Sequence, residues 1–258
     1  MSLGTAISSK FLLGTATVMI GPQNNAFDLD PTDNGIGLVK NFSCTSVPTY
    51  TELTQGITNS RVASVMTGID VKATMEVFEY TAKNLTFGLA LDGSAVVTQT
   101  KTSTTTVAIA GTPAVPVTSV TVTDGTQFAV NQWIMLSDGD TGNIAVTQVT
   151  VIALDVLTVS PGIGQSIASG ATVNVVSMVD VGSRVTQPYL SAKVVGELAD
   201  GSYATLILPK VRIVKGFTLA FLTNAFGNLP YELEVYDLTP SDTLYSQFSD
   251  RKAALFLQ

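Results

Sequence analysis

The sequence predicts a mainly β protein made of two β domains, one inserted into the other, with a single flanking helix. Three observations predict this. Short runs of Val, Ile, Thr and Leu alternate with Asp-Gly, Pro-Gly and Ser-Gly turn signals along most of the 258 residues. Only one stretch, near residues 81–93, has apolar residues at helical spacing. Charge also changes sharply twice. Residues 1–98 hold five basic and eight acidic side chains, residues 99–180 hold only Lys101 and five Asp, and residues 181–258 hold seven of each sign. Such a break reads as an insertion: 99–180 is a small β-barrel or sandwich, and 1–98 with 181–258 form a discontinuous core domain.

The core domain opens with Lys10 followed by the apolar run Phe11–Ile20. The run faintly resembles a leader h-region, but its basic residue sits late and no small-x-small site follows, so a strand or an assembly arm is expected. Gly37–Val47 is a strand candidate. Arg61–Phe78 is a longer one, with Val71, Ala73, Met75 and Val77 on one face and Lys72, Thr74, Glu76 and Phe78 on the other. Between them lies Pro48-Thr49-Tyr50-Thr51-Glu52-Leu53-Thr54-Gln55-Gly56-Ile57-Thr58-Asn59-Ser60, too long for a tight turn and therefore expected as a functional loop. The helix is capped by Thr81, places Ala82, Leu85 and Leu89 on one side, and ends at Asp92-Gly93. After the insert, Lys193–Leu198 and Tyr203–Leu208 flank an Asp200-Gly201 turn, and Val211–Phe221 and Tyr231–Tyr236 are further strands.

The insert begins with the Thr-rich run Thr98–Thr106. Its strand candidates are Val117–Val122, Gln132–Leu136, Val146–Ile152, Leu157–Val159 and Val173–Val176, with turns at Asp124-Gly125, Asp138-Gly139 and Pro161-Gly162. Trp133, the only tryptophan, is expected to pack in its core.

Composition excludes several functions. The chain has no histidine and one cysteine, Cys44, which removes Ser-His-Asp triads, His-metal sites, Cys-based zinc sites and intrachain disulfides. Carboxylate or lysine catalysis is compatible with the composition, but no motif points to it; the expectation is no enzyme and no cofactor. Net charge is −7, and the 13 Lys and Arg form no run, so specific nucleic-acid binding is not expected. Charged residues make up 13% of the chain, about half the usual share, which suggests a surface covered by other subunits. An ordinary secreted β-sandwich has a similar composition. No stretch is long and apolar enough to span a membrane. Asp138, Asp140 and Asn143 resemble part of a calcium loop but lack its Glu, and Asp28, Asp30 and Asp33 are similar; both read as polar turns. Gly162-Ile163-Gly164 lacks the strand–helix context of a nucleotide site.

Two stretches resemble a family. Val77–Gly93 is similar to a segment of bacteriophage tail tube proteins, in which a strand runs into an aromatic-Thr-Pro-Glu-Asn-Leu helix ending near a Gly. This chain keeps Tyr80, Thr81, Asn84 and Leu85, and has Ala82 and Lys83 where the family often has Pro and Glu. Gly201–Ile213, containing Leu208-Pro209-Lys210-Val211-Arg212, followed by Phe217–Phe221 and Tyr231–Tyr236, resembles the family's later strands. The resemblance covers about residues 35–95 and 185–240 and leaves out the insert. It implies a tail-tube-type β-sandwich or half-barrel with one flanking helix, assembling with itself into hexameric rings that stack into the tube of a virion tail. Tape measure, tail terminator and baseplate proteins would be partners, and DNA would pass through without specific binding. The segment Pro48–Ser60 is then the candidate ring-stacking loop, and Lys72, Thr74 and Glu76 are candidates to face the lumen. Six copies carry 6 × (−7) = −42 formal charges per ring, and an acidic share on the wall would let DNA slide. The insert is expected to project as a decoration. A fibre-borne or secreted adhesion module and a capsid decoration protein are the alternative readings.

Overall fold

The computed structural model describes residues 12–55, 57, 60–91, 101–182, 186–219 and 227–258, with the backbone only for 12–15. The protein is mainly β, with a curled half-barrel sheet and few helices. It divides into two compact units, Met1–Ala95 with Asp180–Gln258, and Val96–Val179. Both boundaries fall within a few residues of the changes in charge. Among the described residues no helix is long and apolar enough to cross a membrane.

The first unit contributes β1 (Leu12–Pro22), β2 (Val39–Gln55), β3 (Ser60–Val77) and helix α1 (Ala82–Gly88). The second unit follows with β4 (Thr102–Thr104), β5 (Ile109–Ala110), β6 (Val117–Thr121), β7 (Trp133–Ser137), β8 (Ile144–Ala153), β9 (Val156–Ile163), β10 (Ser166–Ile167) and β11 (Thr172–Val176). The chain returns to the first unit with β12 (Leu190–Leu198), β13 (Tyr203–Lys215), β14 (Leu229–Val235), the short helix α2 (Tyr245–Phe248) and β15 (Ala254–Leu257).

The first sheet runs β1-β12-β13-β14-β3-β2, with β15 also paired to β13. Every pairing in it is antiparallel. Alternation sorts its two faces. Val71, Ala73, Met75 and Val77 of β3 point inward to meet Leu229, Tyr231, Leu233 and Val235 of β14 and Val18 and Ile20 of β1. The sheet curls around this core, and α1 closes it through Phe87, which is 2% exposed.

Helix α1 starts as expected, with the Thr81 hydroxyl accepting the Asn84 N–H at 3.1 Å. It is shorter than expected. The α-helix ends at Gly88, and Ala90 has φ +61°, so the left-handed residue comes before the expected Asp92-Gly93 stop, which lies outside the described residues. Its most buried residues are Asn84, Thr86, Phe87 and Gly88; of the expected pair, Leu85 packs half-buried against the core and Leu89 is half-buried. Docking explains this. Asn84 Nδ2 donates to the carbonyls of Ile36 and Glu79, both at 2.9 Å, and the Tyr231 hydroxyl donates to the Asn84 carbonyl. Tyr80 in turn reaches the carbonyls of Thr218 and Asn228 from below the helix start. A helix of seven residues has no stability of its own, and these bonds to the sheet and its loops hold it.

Strand β13 joins two expected strands, Tyr203–Leu208 and the start of Val211–Phe221, into one that ends at Lys215. Pro209 is tolerated because the register against β12 shifts there, between Leu190–Val211 and Ala192–Leu208. The outer side of β13 carries Ile207, covered by Ala26, Leu238, Leu244 and Phe248 in a second small core. Beside it Lys210 Nζ pairs with Asp242 Oδ2 at 2.9 Å, the two side chains 8% and 17% exposed. Burial works against the charge on Asp242. Hydrogen bonds from the Thr239 backbone, Lys210, Gln23 and the Thr239 hydroxyl outweigh it and hold the carboxyl well below the usual carboxylate range. A depressed carboxylate adds stability above its unfolded pKa, near 3.9, and loses it as pH falls through the lower folded value. Asp242→Asn is therefore expected to cost about 3 kcal/mol at pH 7, because Lys210 stays buried without its counter-charge. The gap to wild type should narrow below about pH 4. Urea titrations at pH 7 and pH 3 check this, and a gap unchanged between them would contradict it.

In the second unit the sheet order is β4-β11-β7-β8-β9-β6. Its two ends meet at a bridge between Thr105 and Val122, flanked by Thr106 N–H to Thr121 O and Thr123 N–H to Thr104 O, both 2.9 Å, so the sheet closes on itself around its own core. Two expectations are corrected. Pro161-Gly162 is not a turn but part of β9, accommodated where the register against β6 shifts between Val117–Ile163 and Ser119–Thr158. Trp133 is not in the core. Ile134 and Leu136 take the inward positions of β7, leaving Trp133 half-buried on the outer face.

Candidate assembly surface

The most unusual feature of the first unit is the β2–β3 hairpin. Its strands have 17 and 18 residues, and from Ser43 to Asp70 every described residue is exposed. The expected loop Pro48–Ser60 is thus largely not a loop. Pro48 through Gln55 belong to β2, Ser60 opens β3, Ile57 lies in the turn, and Gly56, Thr58 and Asn59 fall outside the described residues. Pro48 is compatible with a strand here because β2 is the edge of the sheet, where no ladder needs its missing N–H.

The hairpin is apolar on both faces. Tyr50 pairs across from Met66 on the face continuous with the core, while Leu53, opposite Ala63, and Val65, opposite Thr51, lie on the other. Leu53 and Val65 are 64% and 65% exposed. Between residues 45 and 70 the only charges are Glu52, Arg61 and Asp70, and Arg61 pairs with Glu52 at 2.6 Å. A two-stranded ribbon is at best marginally stable alone, and exposed apolar patches of this kind are a common mark of interaction sites.

Lys72, Thr74 and Glu76 share the face of the sheet opposite the core. Lys72 reaches Glu234 at 3.1 Å and Glu232 at 3.6 Å, and these carboxylates push its ammonium up. Asn41 donates to Glu76 at 3.0 Å. The register puts Arg212 beside Glu234 and Lys215 beside Glu232, and Lys40 beside Glu76. Four basic side chains (Lys40, Lys72, Arg212, Lys215) thus interleave with three acidic ones (Glu76, Glu232, Glu234) on this face.

No family model matches the chain, and no curated protein matches it.

The remaining candidate sites of the sequence resolve as turns. Asp138 Oδ1 accepts the N–H groups of Asp140 at 3.0 Å and Thr141 at 3.3 Å, and Oδ2 accepts that of Ala168 at 2.8 Å. Asp30 Oδ1 accepts the N–H groups of Thr32 and Asp33, both at 2.8 Å. Among the described residues no group of three His, Cys, Asp or Glu could hold a metal ion. At the root of the hairpin lies a groove of about 720 Å³, with Cys44, Met66, Ile69, Val71, Leu206 and Leu255 among its lining. Partial burial pushes the Cys44 thiol up, away from the reactive thiolate. Sequence reading missed this groove, since strands distant in the chain form it and no local pattern announces it.

Proposed function

We propose that this chain is a bacteriophage tail tube subunit, a non-enzymatic protein that forms stacked hexameric rings around the path of the genome. The observation that carries the reading is the β2–β3 hairpin: a long ribbon, apolar on both faces and nearly free of charge, suits burial against further copies of the chain. The resemblance of Tyr80-Thr81 and Asn84-Leu85, and of the Leu208–Arg212 strand, to tail tube proteins supports it. Head-to-tail stacking of rings is an open heterologous contact, which produces a filament of any length. The polar face bearing Lys72, Thr74 and Glu76 is our candidate for the lumen wall. On it the basic side chains are interleaved with acidic ones rather than clustered, so phosphate would find no run of free cations, and the wall would be near-balanced rather than acidic. Tape measure, terminator and baseplate proteins would be the partners at the tube ends, in the virion tail.

Negative-stain electron microscopy of the purified protein at rising concentration tests the reading. Rings or hollow tubes of uniform width are expected, and a monomer persisting to millimolar concentration would contradict it. Because the second unit has its own closed sheet and core, excising residues 96–179 and joining the ends with a short Gly-Ser linker should leave tube formation intact; loss of tubes in a folded deletion protein would count against a decorative insert. A second reading, an adhesion module, draws on Trp133, Met135, Ile144 and Val146 on the outer face of β7 and β8. It predicts a monomer or trimer with glycan affinity, which a glycan array would detect.

A further inference from the structure

Trp133 lies on an outer face of the second unit's closed sheet. Inward residues alternate with outward ones along β7, β8 and β11, and the ladders align the outward ones in rows. One row runs Asn174, Met135, Val146, and the next Val176, Trp133, Gln148. Thr102 of β4 extends the first row beside Asn174, and Ser160 of β9 extends the second beside Gln148. None of these side chains is charged, and all are half-buried or exposed. Neighbouring strands lie about 4.8 Å apart, so each row is roughly 14 Å long. Gln148 stands directly across from Trp133, and Asn174 is its diagonal neighbour on the other side. Gln148 Nε2 donates to the Asn131 carbonyl at 3.0 Å, which leaves its amide oxygen to accept. Among the described residues the Asn174 carboxamide has no hydrogen bond, so it keeps both donor and acceptor.

We propose that this face binds a neutral saccharide, with one sugar ring stacked on the Trp133 indole and its hydroxyls on Asn174 and Gln148. The side chains select that class. The face of an indole ring is electron-rich, and the C–H groups of a pyranose carry slight positive charge, so the two stack. Saccharide hydroxyls donate and accept, which suits two carboxamides. No Lys or Arg stands in these rows to neutralise a phosphate, a sulfate or a uronate as it loses water. An apolar partner would bury the Asn174 carboxamide without a hydrogen bond. The length of the rows suits a short oligosaccharide rather than a single sugar. The inference deepens the adhesion reading by naming its site and ligand class, and it rests on no particular oligomeric state.

Trp133 is the only tryptophan, so its emission reports on this face alone. The test titrates the full-length protein with maltotetraose, cellotetraose and chitotetraose, and with tetragalacturonate as an acidic counterpart. At least one neutral tetrasaccharide is expected to change the indole emission saturably, and tetragalacturonate to leave it unchanged. Asn174→Ala and, separately, Gln148→Leu should each weaken that binding about tenfold, since each removes hydrogen bonds and leaves the indole in place. A flat titration with all three neutral sugars, tighter binding of tetragalacturonate, or an affinity that neither substitution changes would overturn the site. A monomer or trimer that is positive on a glycan array without a response at Trp133 overturns the site and leaves the adhesion reading standing. Saccharide binding at Trp133 by a chain that also forms tubes upholds the site and overturns the adhesion reading's monomer or trimer.

Discussion

Replacing Leu53 and Val65 together by lysine is expected to abolish tube formation while leaving the subunit folded. Both side chains lie on the same face of the hairpin and are about two-thirds exposed, so neither contributes to the subunit's own core. Surface substitutions of this kind change stability by about 0.5 kcal/mol or less, and the melting temperature should move by no more than about 2–4 °C. Assembly is different. Burying each side chain against a neighbour contributes about 1.5–3 kcal/mol, and the lysines would add the cost of desolvating two charges. A loss of at least about 3 kcal/mol per subunit raises the critical concentration by about two orders of magnitude. Sedimentation of tubes across a concentration series measures it. Tubes at the wild-type concentration would remove the hairpin from the assembly.

The largest effect on the subunit itself is expected at Tyr231. It is 1% exposed, the largest of the fully buried side chains among the described residues, and it joins β14 to the carbonyl of Asn84 in α1. Burial pushes its phenol far above the ordinary value, so it remains a neutral donor at every working pH. Tyr231→Ala removes the ring and the bond, at a cost of about 3–5 kcal/mol. Tyr231→Phe removes the bond alone and should cost about 1–3 kcal/mol, because a buried carbonyl loses its donor. Urea denaturation separates the two. A Tyr231→Phe loss near zero would mean that the hydroxyl does nothing for the docking of α1.

What could be read from the sequence follows from what leaves a local trace. The alternation of Val71, Ala73, Met75 and Val77 against Lys72, Thr74 and Glu76 exists because one face of β3 is buried there, and it predicted the faces. Towards its tip the hairpin has no buried face in the subunit, so β2 from Pro48 to Gln55 shows no apolar–polar alternation, and residues 48–60 read as a loop although most of them are strand. Period-two patterning reports half-burial rather than extension, and a ribbon exposed on both sides escapes it. The helix start was legible because Thr81 caps it locally; its buried face was not, because Asn84 is drawn inward by carbonyls of Ile36 and Glu79 from outside the helix. Pro161 and Pro209 read as strand ends, whereas register shifts in neighbouring strands absorb both. The motif residues Tyr80, Thr81 and Asn84 are seen to fix the helix to the sheet and its loops, which is a structural reason for such a pattern whatever assembly the chain enters.

Cryo-electron microscopy of the protein assembled at high concentration tests the central claim most directly. The tube reading predicts a hollow tube of sixfold rings, with the β2–β3 hairpin at the contact between copies and the face of Lys72, Thr74 and Glu76 turned to the bore. A hairpin exposed to solvent in the assembled particle, or particles with no central channel, would contradict it.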